Sequence, residues 1–125
     1  NKTPFGAVIV KDGRFITSAF NTVKQDIDPT AHAEINVIRK TCELLNSNDL
    51  SGCTLYTTCE PCPMCFSAAW WSKINRIVYS LGIEDLIDKG NRQINVGSYY
   101  LNEKGGSQIE MVSGVLREEC LKLLD

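Results

Sequence analysis

The chain has 125 residues, a formal net charge of -2 and 22% charged residues, which fits one soluble globular domain, residues 1–125, with a core of its own. Its 13 basic residues are scattered, with Arg39-Lys40 the one adjacent pair, so nothing resembles the basic stripe of a nucleic-acid binder and such a partner is not expected. No apolar run approaches the roughly 20 residues of a membrane span and no signal peptide opens the chain, so the cytoplasm is the expected compartment.

The chain opens on Asn1-Lys2-Thr3-Pro4 and reaches a strand almost at once, from which a missing N-terminal helix is inferred. Residues 5–10 and 15–20 read as a β-hairpin turned by Lys11-Asp12-Gly13. A polar connector, 21–30, leads to a helix over 31–45, capped by Asp28 or Thr30, in which Ala31, Ile35, Ile38, Cys42 and Leu45 recur at helical spacing. Asn46-Ser47-Asn48-Asp49 ends it. A strand over 54–58 precedes a second helix over 64–74, apolar nearly all round and so expected to be buried. Next come a strand over 76–81 and a short helix over 83–89, ended by Gly90. Residues 91–106 are polar and carry no legible element; a strand over 108–112 and an amphipathic helix over 115–124 close the chain. Strands separated by helices predict an α/β fold with a partly parallel sheet.

Six cysteines would suggest a disulfide framework in a secreted mini-protein. In a longer chain with good apolar periodicity, reduced thiols are expected instead. Cys42, Cys53 and Cys120 read as small buried hydrophobes. Cys62 and Cys65 differ, because a Cys-x-x-Cys spacing at a helix start lets two thiolates reach one metal ion. Cys62 falls at the N-cap, Pro63 at the first helical position and Cys65 in the first turn, where free backbone N–H groups favour thiolates. The single histidine stands in His32-Ala33-Glu34, thirty residues upstream at another helix start. In mid-helix, residues two apart diverge, but at an open helix end His32 and Glu34 can face the same point.

The combination H-x-E and P-C-x-x-C is the pattern of zinc-dependent deaminases. His32, Cys62 and Cys65 are the expected ligands of one Zn²⁺ per chain. Three protein ligands leave one tetrahedral position open, as catalysis requires. Glu34 is the expected general acid/base. Cys59 could serve as a fourth ligand, but a packing role at the strand end is preferred, since a fourth ligand would close the site. A structural zinc knuckle needs a second ligand pair, which the chain lacks. A redox Cys pair would leave His32 and Glu34 without a role. A non-catalytic zinc-stabilised interaction module remains the rival of another class, and Glu34 weighs against it.

Nearly the whole chain, residues 4–125, resembles the cytidine deaminase superfamily and is most similar to its guanine and guanosine deaminase branch. The matching pieces are Pro4-Phe5-Gly6-Ala7-Val8, Asp28-Pro29-Thr30-Ala31-His32-Ala33-Glu34 and Thr58-Cys59-Glu60-Pro61-Cys62-Pro63-Met64-Cys65. tRNA adenosine deaminases share the first two nearly as well, but their metal motif lacks Cys59 and Pro63. The resemblance implies a three-layer α-β-α sandwich around a five-stranded mixed sheet, and a homodimer or larger assembly. It implies hydrolytic deamination of a purine-type base or nucleoside, with tRNA adenosine or cytosine/cytidine deamination as alternatives. It also implies substrate contacts from Asn21, from the Ala33 backbone N–H and from Trp71, with Phe5 stacking on a base. For Asn21 a turn role, and for Trp71 and Phe5 core packing, are the structural alternatives. After Gly90 the guanine branch carries an acidic pair that holds the purine. Here Asn91-Arg92-Gln93 stands in its place, and Gln93 offers both an acceptor and a donor.

Overall fold

Asp12 and Gly13 both adopt positive φ, 51° and 77°, the geometry that closes a two-residue hairpin without splaying its strands. In the computed structural model, which describes residues 5–124, that turn joins β1 (Gly6–Lys11) to β2 (Arg14–Phe20). Asn1-Lys2-Thr3-Pro4, on which the inference of a missing helix rests, lies outside the described residues. β3 (Cys53–Cys59) pairs antiparallel with the other edge of β1, and β4 (Arg76–Leu81) and β5 (Glu110–Val112) extend the sheet in parallel. The order is β2-β1-β3-β4-β5, the expected five-stranded mixed sheet of an α/β fold. Register aligns Ile9 with Leu55 and Leu55 with Ile77, and all three are fully buried in one row across the sheet.

α2 (Ala33–Leu45) packs against β1 and β2, and its buried face carries Ile35, Val37, Ile38 and Thr41. A single turn, α1 (Val23–Asp26), precedes it inside the connector. The cap of α2 differs from expectation: His32 occupies the N-cap, and the helix starts two residues later than 31. The Asp28 carboxylate is already engaged, accepting from the Thr30 backbone N–H at 2.8 Å and its hydroxyl at 2.7 Å. That local turn leaves neither Asp28 nor Thr30 at the helix entrance.

α3 (Pro63–Trp71) starts at Pro63 behind an N-cap at Cys62, as the sequence predicts. It stops at Trp71 rather than 74, where Ser72 caps it and Lys73 turns to φ 64°. Its burial is one-sided: Cys65, Phe66 and Ala69 face inward, whereas Trp71 is 75% exposed. α4 (Ile83–Asp88) follows β4, and α5 (Ser98–Lys104) forms within the stretch that sequence periodicity leaves blank. The closing helix is shorter than expected, α6 (Arg117–Leu121) followed by a 3-10 turn (Lys122–Leu124), because Gly114 and Leu116 take positive φ. All six cysteines are free thiols; Cys53, Cys59 and Cys65 are buried, whereas Cys42 and Cys120, expected to be buried, are only half-buried at the edges of the core. No helix among the described residues is long and apolar enough to cross a membrane. The parallel strands β3 and β4 end side by side at Cys59 and Leu81, and the chain leaves both ends into helix starts. That is where an open α/β sheet places its ligands.

Candidate functional site

The starts of α2 and α3 meet beside the carboxyl end of β3. Cys62 Sγ lies 3.7 Å and Cys65 Sγ 3.5 Å from His32 Nδ1. The three ligand atoms all fall within 4.8 Å of one another, the arrangement expected for one metal ion. Tetrahedral zinc with ordinary Zn–S and Zn–N bonds separates its nitrogen and sulfur ligands by about 3.6 Å, so the donor set fits zinc in type and spacing.

The electrostatics of the three groups follow from the two helix starts. The Cys62 thiol is lowered to about 4 by hydrogen bonds from the Cys65 side chain, from His32 and from the Cys65 backbone N–H. Cys65 moves the other way, because the neighbouring Cys62 sulfur and deep burial hold its proton. A cationic ligand would displace that remaining proton. The Cys65 sulfur also accepts from the Ile35 backbone N–H, so each helix start lends a donor to the sulfur pair. His32 is raised, chiefly by its hydrogen bond to Cys62.

Glu34 sits in the first turn of α2, 7% exposed. Burial raises its carboxyl to about 7, with the Cys62 charge adding to the rise. It is not among the residues whose ligand atoms converge for a metal. Cys59 is also outside that group: it packs against Leu81 and Leu86, and burial pushes its thiol well above the ordinary range. The packing role preferred for Cys59 is therefore the one its position supports.

A cavity of about 580 Å³ opens above His32, Glu34 and Cys62. Of the expected substrate-side residues, Phe5, Asn21, Ala33 and Gln93 line it. The Asn21 Oδ1 accepts from the Val23 N–H at 3.1 Å, which turns its amide nitrogen away from that turn. Trp71 is not brought to this cavity. It lies at the far end of α3, on a groove shared with Ile38 and Ala68, edge-on to Trp70 at 5.0 Å. Six residues past Cys65 is most of two helical turns, which carries Trp71 away from the metal end of α3.

Three residues of the cavity carry no sequence signal of their role. Arg92 and Ile94 join Gln93 in its outer wall. Glu60, 9% exposed, accepts from the Ile83 N–H at 3.0 Å, from the Ser98 N–H at 2.7 Å and from the Ser98 hydroxyl at 2.6 Å.

The profile of the cytidine and deoxycytidylate deaminase zinc-binding region matches residues 1–81. Over 87 residues the chain is 48% identical to guanine deaminase from Bacillus subtilis, covering 70% of this chain and 56% of that protein. Over 119 residues it is 40% identical to the tRNA-specific adenosine deaminase of the same organism, covering 95% of this chain and 71% of that one. Among solved structures, guanine deaminase from Nitrosomonas europaea superposes with a TM-score of 0.82 at 27% identity, over 98% of this chain and 71% of the other. The chain thus spans little more than half the length of the first of these curated relatives. With a matching profile across well over half the chain and a donor set spaced for one zinc ion, the chain belongs to the cytidine and deoxycytidylate deaminase zinc-binding family.

Proposed function

We propose that the protein is a zinc-dependent hydrolytic deaminase that replaces an exocyclic amine of a purine-type base or nucleoside with a carbonyl. The carrying observation is the buried Glu34 carboxyl, beside but not among the three metal-directed atoms, at the floor of a cavity of about 580 Å³. His32, Cys62 and Cys65 would hold a zinc ion, which would supply an activated water near neutral pH. Glu34 takes a proton from the attacking water and delivers it to the ring nitrogen next to the amine-bearing carbon. A second proton passes through the same carboxyl to the amine, the C–N bond breaks, and ammonia leaves. One water is consumed and one ammonia released for each amine replaced. Asn21, the Ala33 N–H and Gln93 orient the ring, and Phe5 stacks on it.

The guanine-type reading is supported by the Cys59-to-Cys65 run and by the similarity to two guanine deaminases. Gln93 in the cavity wall extends the reading from guanine alone to guanosine and related amino-heterocycles, since an amide accepts and donates where an acid accepts only. Adenosine within tRNA is the second reading, favoured by 40% identity to a tRNA-specific adenosine deaminase over 119 residues. A homodimer is proposed as the assembled form. The exposed Trp71 beside Ile38 and Ala68 supports it, because it leaves an apolar groove open at the α2–α3 surface.

The test is ammonia release by zinc-loaded protein from guanine, guanosine, adenosine, cytosine, cytidine and a tRNA anticodon stem-loop, with Glu34→Gln as control. A purine base or nucleoside should be the best substrate. Glu34→Gln should keep its zinc and lose about 10²–10⁴-fold in kcat. Turnover of cytosine, or of the stem-loop alone, overturns the purine reading. Near-native kcat in Glu34→Gln removes that residue from the mechanism.

A further inference from the structure

Glu60 is a buried carboxylate that the proposed chemistry does not use, and its three hydrogen bonds reach far along the chain. One oxygen accepts from the first N–H of α4, at Ile83, and the other from the first N–H and the hydroxyl of α5, at Ser98. Ser98 is itself fully buried. The Glu60 backbone N–H is committed as well, donating to the Leu81 carbonyl at 2.6 Å. The residues before both helices are glycines, Gly82 and Gly97, and a Cβ on either would lie 3.6 Å from a Glu60 carboxylate oxygen. Both helix starts thus close around this one side chain.

Between the two helices runs the stretch 89–97, without helix or strand, which supplies Arg92, Gln93 and Ile94 to the cavity wall. At its near end, Asn91 holds to α4 through its backbone and side-chain bonds to the Leu86 carbonyl, at 2.9 and 3.2 Å. Within the wall, the Val96 N–H donates to Ile94. At its far end, Ser98 is held by Glu60. The carboxylate therefore fixes the helices on both flanks of the wall, and it stands two residues from the ligand Cys62.

We propose that Glu60 is a positioning residue that sets the 89–97 wall at a fixed distance from the metal ligands, and so governs how tightly the cavity holds the substrate ring. In its kinetic part the proposal rests on the deaminase reading; in its structural part it does not. A wall that binds the ring equally in ground and transition states acts on KM, whereas a ligand or proton-transfer group acts on kcat. Glutamine at position 60 keeps one acceptor oxygen and turns its amide N–H toward a backbone N–H, so at least one anchor is lost.

The experiment compares zinc-loaded wild type, Glu60→Gln and Ser98→Ala by zinc content, by backbone hydrogen exchange, and by KM and kcat for the best substrate of the ammonia panel. Glu60→Gln should keep one zinc per chain, exchange faster across 89–97 with 58–65 unchanged, and raise KM about tenfold with kcat within about threefold. Ser98→Ala removes fewer bonds and should fall between wild type and Glu60→Gln, and it decides the question if Glu60→Gln does not fold. A fall in kcat at constant KM, a loss of zinc, or unchanged exchange across 89–97 overturns the proposal. If wild type releases ammonia from nothing in the panel, the deaminase reading fails, and the exchange of 89–97 still decides the role of Glu60.

Discussion

At the residue scale, the site works by placing two sulfurs where a charge is easiest to hold. Cys62 and Cys65 each receive a backbone N–H, and His32 Nδ1 lies within 3.7 Å of both. Removing the thiols should therefore remove the metal: Cys62→Ser/Cys65→Ser protein is expected to carry less than about a tenth of the wild-type zinc by metal analysis. Zinc retained at one per chain would disprove the ligand assignment. This ligand set was legible in the sequence because its members lie in two short motifs, each read against a helix start. Trp71 is the exception: the resemblance implies a pocket role, with core packing the alternative, and the structure shows neither, since Trp71 stands exposed at the end of α3 away from the cavity. Glu60 was not read at all, because its partners lie 23 and 38 residues further on.

At the scale of elements, local chemistry decides where helices begin. Cys62 caps α3 as expected from the proline behind it, whereas Asp28 spends its carboxylate on Thr30 and hands the cap of α2 to His32. α5 was invisible because residues 91–106 show no apolar period; it is held by tertiary bonds at Ser98 and at Asn102, whose amide pairs with both backbone groups of Ile109. α4 depends on Asp85, which accepts from the Gly82 N–H at 3.0 Å and forms a two-pronged pair with Arg117, at 2.6 and 3.1 Å. The Arg117 guanidinium holds the Asp85 carboxyl below its usual range. A carboxyl lowered in the native state stabilises above its unfolded pKa of about 3.9, and that contribution fades as pH falls through the lower native value. Asp85→Ala should thus cost about 1 kcal/mol at pH 7, with the gap to wild type in thermal unfolding closing below about pH 4. A gap that stays constant between pH 7 and pH 3 would mean that Asp85 acts through packing alone.

At the scale of the whole molecule, the sheet order could be anticipated only in outline. Alternating burial marks β1, β2 and β3 but not β4, where Ile77, Val78 and Tyr79 are buried in succession, and the placement of β1 between β2 and β3 rests on pairings such as Ile9 with Leu55, which no local pattern reveals. The same holds for the α2–α3 groove of about 630 Å³, where Trp71 stands exposed. If a second copy covers that groove, light scattering at micromolar concentration should give twice the chain mass, and Trp71→Glu should shift it toward the monomer. A monomer mass for the wild type would contradict the homodimer.

The ligands also differ in when they come into being. Cys62 and Cys65 are neighbours in any conformation, so an unfolded chain already offers zinc a two-sulfur grip. His32 joins them only when α2 has docked beside α3, thirty residues of chain having been folded away between them. An ion that also binds the unfolded state stabilises the native one only by its excess affinity there. That excess is carried by the imidazole, which makes His32 the member of the set through which metal and fold are thermodynamically linked.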